Sequence, residues 1–247
     1  MPRLSSGARE AYLVRSGTLT ETLELADVCA RRSNTYWLLS RFVLEPPTAA
    51  FLSALATALD AAPVGPDAPL GDETAALCRA VREALGDESA RDALLVEHTR
   101  LFGGLSKTYG APPPYESVAR EGKLLGECTI AVSAAYSAAG FDAPVPEAGP
   151  ADHLGAELRF LALLCHRESE ARQAGCEGEA SAWLERERSF LDDHVLKWVP
   201  QHCERMLTLA QTPFHLAMIR LISGACMLDR QDVTELSALA AVSSNAA

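Results

Sequence analysis

Four side chains able to move protons stand out in this 247-residue chain: His98, Glu116, Asp152 and His153, the last two adjacent. A hydrolase could use such a set, with a histidine as base and a carboxylate to orient it. Metal-assisted chemistry would draw on His98, His153, His166, His194, His202 and His215, or on the cysteines. The histidines are scattered without metal-ligand spacing, and neither HExxH nor CxxC occurs. Cys165-His166 and His202-Cys203 are neighbours in sequence, which on a helix point about 100° apart and do not converge on one ion. No G-x-S-x-G elbow is present. Gly103-Gly104-Leu105-Ser106-Lys107-Thr108 is glycine-rich, but it lacks the phosphate-loop spacing and follows no strand. Catalysis has no positive motif behind it. A helical nucleotide hydrolase using His98, Glu116, Asp152 and His153 is the alternative from a different functional class.

The segments that carry these residues are expected to be helical. Alanine and leucine dominate, and no β-branched run alternates with period two. Thr18-Leu19-Thr20-Glu21 reads as a capping box opening a long helix that ends near Pro46-Pro47. Its apolar stripe is Leu25, Val28, Cys29, Tyr36, Leu39 and Val43. A short helix over 48–59 follows, then a loop over 61–71. Asp72 and Asp87 are candidate caps for the next two helices. The second of these carries Leu94, Leu95, His98, Leu101 and Phe102 on one face. A long connection over 103–117 contains Pro112-Pro113-Pro114, which forbids helix and favours a stiff extended segment. Helices are expected over 120–139, with Leu124, Leu125 and Val132 as core, and from Pro150, with Asp152 in the first turn and His153 paired to Glu157 one turn along. Three more fit 177–196, 197–210 and 213–240. The ends, 1–17 and 242–247, are expected to fray. The architecture expected is all-α: one globular domain of about eight to ten helices, in two halves joined by the proline-rich hinge near 103–117.

Composition narrows the function further. Hydrophobic residues make up 48% and charged residues 22%, as in an ordinary globular protein. Against 22 basic residues stand 33 acidic ones, a net charge of −11 that repels nucleic acid and attracts a cationic peptide. Seven cysteines without a framework read as reduced thiols in a cytoplasmic protein. No signal peptide is visible, and apolar runs are too short or interrupted for stable membrane insertion.

Two segments are compositionally odd for plain core. One is Leu101-Phe102 followed by Pro113-Pro114-Tyr115-Glu116-Ser117-Val118. The other is Asp152-His153-Leu154 with Glu157, Leu158, Phe160 and Leu161. Together they resemble the TorD/DmsD/NarJ family of chaperones for molybdenum-containing redox enzymes. Tyr36, Leu39, Ser40 and Pro46-Pro47 upstream, and Phe190-Leu191, His194, Trp198 and Pro200 downstream, extend the resemblance over about residues 25–225. The chain departs from the family pattern at His98 and Ala119, each in place of an aromatic residue, and at Ala151, with its proline one position earlier at Pro150.

The resemblance implies an all-helical protein without catalytic activity and without a cofactor of its own. It implies binding of the twin-arginine leader, and often the body, of a molybdopterin oxidoreductase catalytic subunit. That client is held in the cytoplasm until its cofactor is inserted. It also leaves open a NarJ-type role toward a non-exported client, weak guanine-nucleotide binding, and a monomer or a dimer exchanging halves. The complement of a leader, basic at its head and apolar beyond, is an apolar groove with acids near one end. Three or four apolar side chains buried at roughly 1.5–3 kcal/mol each, less the cost of ordering, give a Kd on the order of micromolar. The residues expected to bind the client are Leu101, Phe102, Pro113, Pro114, Tyr115, Glu116, Ser117, Asp152, His153 and Glu157. Leu101 and Phe102 read equally as core, Glu116 as a solvated charge, and Asp152 as a structural first-turn acid.

Overall fold

The computed structural model describes residues 6–61, 65, 67–103 and 111–245, with side chains for those between 24 and 237. It is a single helical domain, and no strand is present among the described residues. Ten α-helices occur there: α1 (Ser6–Leu44), α2 (Ala49–Ala61), α3 (Gly71–Gly86), α4 (Glu88–Phe102), α5 (Glu116–Glu121), α6 (Glu127–Ala138), α7 (Leu154–Gln173), α8 (Glu177–Phe190), α9 (Leu196–Leu209) and α10 (Pro213–Asn245). No helix among the described residues is long and apolar enough to cross a membrane, and all seven cysteines are free thiols.

The centre of the fold is the pairing of α1 with α7. Tyr36, Leu39, Phe42 and Val43 recur on one face of α1 and are buried against Leu158, Leu161 and their neighbours. Two hydroxyls pin the pair along its length: Ser33 Oγ donates to the Ala162 carbonyl and Ser169 Oγ to that of Ala26, each at 2.8 Å. Gly155 lets the helices approach, since a Cβ there would stand 2.5 Å from Leu44 Cγ. Helix α10 then packs on α3 and α4 as well as on α8 and α9. The parts before and after the proline-rich segment therefore share one core. Residues 104–110 of the expected hinge lie outside the described residues.

Several boundaries differ from the sequence expectation. Helix α1 begins at Ser6 and runs straight through Thr18, because an interior glycine such as Gly17 costs only about 1 kcal/mol in a helix. Asp72 lies inside the first turn of α3 instead of capping it, whereas Asp87 does cap α4, accepting from Ser89 N–H at 2.9 Å. The helix expected over 120–139 is two helices. Gly122, at φ +71°, closes α5, and α6 starts only at Glu127. Between them Leu124 and Leu125 are exposed, not core, while Val132 is fully buried. Leu125 sits at φ +60°, a left-handed conformation that costs an L-residue roughly 1–2 kcal/mol. Helix α7 starts at Leu154, not Pro150. Leu191–Val195, between α8 and α9, is wound as a π-helical turn, and α10 continues to Asn245.

Candidate client-binding site

The two signature segments meet. Pro114-Tyr115-Glu116 runs antiparallel to Asp152-His153-Leu154, with Glu116 N–H donating to the Asp152 carbonyl at 3.0 Å and Leu154 N–H to that of Pro114 at 2.8 Å. The Tyr115 and His153 rings pack edge to face at 5.0 Å. This crossing explains the residue types. Helix α5 is capped at Tyr115, whose side chain cannot accept a bond from the first turn. Asp152 supplies the cap from 35 residues away: its Oδ2 accepts from Ser117 N–H at 2.8 Å. Its Oδ1 accepts from Thr129 Oγ1 on α6, also at 2.8 Å. One buried carboxylate thus fixes α5 and α6 to the start of α7. Asp152 is a cap for another helix and not a first-turn acid of its own.

His153 caps α7, its Nδ1 accepting from Gly155 N–H at 3.2 Å. The expected pairing of His153 with Glu157 gives way to this bond. Glu157 instead accepts from Trp198 Nε1 at 3.0 Å, while its other oxygen is buried without a partner. Burial first, then the nearby Glu116 and Asp152 carboxylates, push the Glu157 carboxyl well above the usual carboxylate range. Glu116 is fully buried, bonded to Arg120 one turn along and to His194 Nδ1 at 2.9 Å. It is not a solvated charge, and its bond to His194 joins α5 to the π-helical turn.

The ten residues expected to bind a client therefore divide. Pro114, Glu116, Ser117, Asp152, His153 and Glu157 are buried in this knot, with Pro113 and Tyr115 half-buried at its edge. Leu101 is core on α4, and Phe102 is half-buried against the His98 ring at 5.0 Å. No hydrogen bond or ring contact joins Leu101 or Phe102 to the knot among the described residues. Thr129, Arg120, His194 and Trp198 belong to the knot and were not among the expected site residues. His194 and Trp198 had a signal, as part of the downstream resemblance, but nothing in the sequence pairs them with Glu116 and Glu157.

Beside the knot opens a cleft of about 210 Å³ between α6, α8 and the π-helical turn. Ala135, Ala138 and Ala139 form one wall, Phe160, Phe190 and His194 the floor. The rings touch in series, Phe160 to Phe190 edge to face at 4.8 Å and Phe190 to His194 tilted at 4.9 Å. Glu185, Arg186 and Asp193 stand at the rim. The cleft is smaller than the roughly 300–1,000 Å³ of small-molecule sites and suits an anchoring side chain better than a nucleotide.

Burial also sets the pH response. His98, His153 and His202 are pushed down to about 4 and His215 to about 3, in each case by burial first. Unfolded histidines protonate near 6.5, so stability is full above that value and falls as pH drops from 6.5 toward 4. Glu157 and Glu187 act oppositely: burial raises both, so the Glu187 contribution declines as pH climbs from 4.5 to about 8 and that of Glu157 declines above 4.5. Below about 6.5 the four histidines outnumber the raised carboxyls, and above it the carboxyls alone remain. Thermal melts should therefore show an optimum at about pH 6.5, with stability falling away on both sides. A melting temperature that rises steadily from pH 6.5 down to 4.5 would contradict these assignments.

Comparison with known proteins places this arrangement. Residues 66–204, more than half of the chain, match the family model described as nitrate reductase delta subunit. The chain is 27% identical over 219 residues to the chaperone protein TorD of Vibrio cholerae serotype O1 strain M66-2, covering 86% of this chain and 96% of that protein. It is 30% identical over 80 residues to TorD of Vibrio parahaemolyticus, covering 32% of this chain, and 30% identical over 118 residues to TorD of Vibrio vulnificus strain YJ016, covering 47%. These matches span 36% and 54% of the length of those two relatives. A solved structure described as a redox enzyme maturation protein from Archaeoglobus fulgidus matches with a TM-score of 0.47 at 20% identity, covering 78% of this chain and 91% of that one. The chain belongs to the TorD/NarJ family, whose model bears the description nitrate reductase delta subunit.

Proposed function

We propose that this protein is a cytoplasmic maturation chaperone that binds the twin-arginine leader and the body of a molybdopterin oxidoreductase catalytic subunit, and holds it back from export until its cofactor is in place. Family membership carries the reading. The physical features agree with it. The carboxylates and histidines that could have served acid–base chemistry are bonded inside the fold: Asp152 to Ser117 and Thr129, Glu116 to Arg120 and His194, His153 to Gly155. They act as fasteners, which favours binding over turnover and weighs against a nucleotide hydrolase. The net charge of −11 suits a basic leader.

A NarJ-type role toward a non-exported client is a second reading, favoured by the description of the matching family model. The two separate on the client. A tagged chain recovered from its own cells should carry a molybdopterin oxidoreductase catalytic subunit, and deleting that subunit's leader should abolish recovery. Recovery of a subunit whose leader lacks paired arginines would establish the NarJ-type role. Recovery without any molybdoenzyme would contradict both.

A further inference from the structure

Six large apolar side chains are exposed among the described residues, and three of them, Leu124, Leu125 and Ile130 at 49%, 67% and 64%, lie within seven positions of one another. They sit on and beside the first turn of α6. The elbow that carries the leucines is held at both ends. Gly122 N–H donates to the Val118 carbonyl at 3.1 Å, and the Glu121 carboxylate accepts from the backbone N–H groups of Glu127 and Cys128 at 3.1 and 2.7 Å. A pinned elbow that keeps a leucine left-handed and exposed gains nothing for the core. It does present two apolar side chains already ordered, which lowers the cost of binding.

From Ile130 the same helical face continues through Ala134 to Ala138, four and eight residues on, both exposed. Those eight residues advance about 12 Å. Ala138 is also a wall of the 210 Å³ cleft, so the apolar track leads into the aromatic floor of Phe160, Phe190 and His194. That end carries two carboxylates, Glu185 and Asp193, beside Arg186. Asp193 is exposed, and its carboxylate accepts no hydrogen bond among the described residues. Glu185 is bonded to Arg188 only at the surface, where an incoming guanidinium can share it. Arg186 is turned onto the Trp183 ring, 4.6 Å from its centroid.

We propose that this track is the docking groove for the leader: its apolar stretch lies along α6 from the elbow, and its arginines end in the cleft between Asp193 and Glu185, over the aromatic floor. The assignment rests on the leader-binding reading above. It moves the binding surface off the Tyr115–Asp152 knot, which becomes the groove's support, because His194 touches the occupant on one side and Glu116 on the other.

The test is a fluorescence-anisotropy titration of the full chain with a labelled synthetic peptide, two adjacent arginines followed by about twelve leucines and alanines, long enough to span the track if helical. Ile130→Glu and Ala138→Trp, both at exposed positions, should each weaken binding about tenfold or more. Asp193→Lys should weaken it and flatten its salt dependence. Val96→Glu, at an equally exposed position on α4, should leave it unchanged. Leu125→Gly separates binding from folding: relief of the left-handed conformation should raise the melting temperature while the peptide binds more weakly. Wild-type binding that Ile130→Glu and Ala138→Trp leave untouched overturns the groove and spares the leader-binding reading. Absence of binding by the wild type overturns both.

Discussion

Replacing Arg32 with methionine is expected to cost the fold about 3–5 kcal/mol, the largest loss from any single side chain described here, because it strips the partner from buried carboxylates. Arg32 reaches out of α1 to three helices at once. Its guanidinium bonds Asp229 on α10 at 2.5 Å, Glu187 on α8 at 2.5 Å and Glu168 on α7 at 3.1 Å. Glu168 keeps a second cation, Arg172, and Asp229 keeps the Tyr36 hydroxyl at 2.7 Å. Glu187 keeps nothing described, its other oxygen being buried and unpartnered. Much of the penalty therefore belongs to buried carboxyl oxygens left without a donor and not to the bonds themselves. Adding Glu187→Gln and Asp229→Asn to Arg32→Met should recover most of the loss. Urea denaturation midpoints decide: a shift below about 1 kcal/mol for Arg32→Met would show that the cluster is solvated in solution.

Asp152→Ala should cost about 2–5 kcal/mol, since it leaves both the Ser117 amide and the Thr129 hydroxyl buried without an acceptor. Asp152→Asn keeps the shape and one carbonyl acceptor, and the threonine hydroxyl can turn to accept from the new amide. It should cost only about 1 kcal/mol. The contrast identifies a cap. Equal losses for the two substitutions would mean that the negative charge, and not the hydrogen-bond geometry, holds α5 and α6. The consequence for function is direct. Any loss of client maturation in an Asp152 or His153 variant reports first on the integrity of the Tyr115–His153 crossing, and melts of the purified variant must accompany the cell assay.

What was legible in the sequence follows from which interactions are local. The helix faces on α1, α4 and α7 could be read because their periodicity is written within one segment, as was the Asp87 cap, which lies next to the helix it serves. The break at Gly122 was not read, because a lone glycine is compatible with a helix interior and only the αL conformation shows that it ends α5. Leu124 and Leu125 then looked like core, since an apolar residue in an assumed helix has no mark of exposure. The Asp152-His153 pair was recognisable by resemblance, but its partners are 23 and 35 residues away. A helix dipole explained an aspartate near Pro150 equally well, so its service to α5 could not be seen. The same holds for Glu116: solvated and bonded to His194 are one pattern in sequence, and only the folded path brings residues 78 positions apart to 2.9 Å. Arg32, with partners 136, 155 and 197 residues away, was wholly silent.

Calorimetric titration of the purified protein with a synthetic twin-arginine leader at low ionic strength decides whether this chain recognises an export leader. One saturable site with a Kd on the order of micromolar is expected, weakened as salt screens the net negative charge of the chain. A flat titration up to about 100 µM, for the leader alone and for the whole catalytic subunit carrying it, would contradict it.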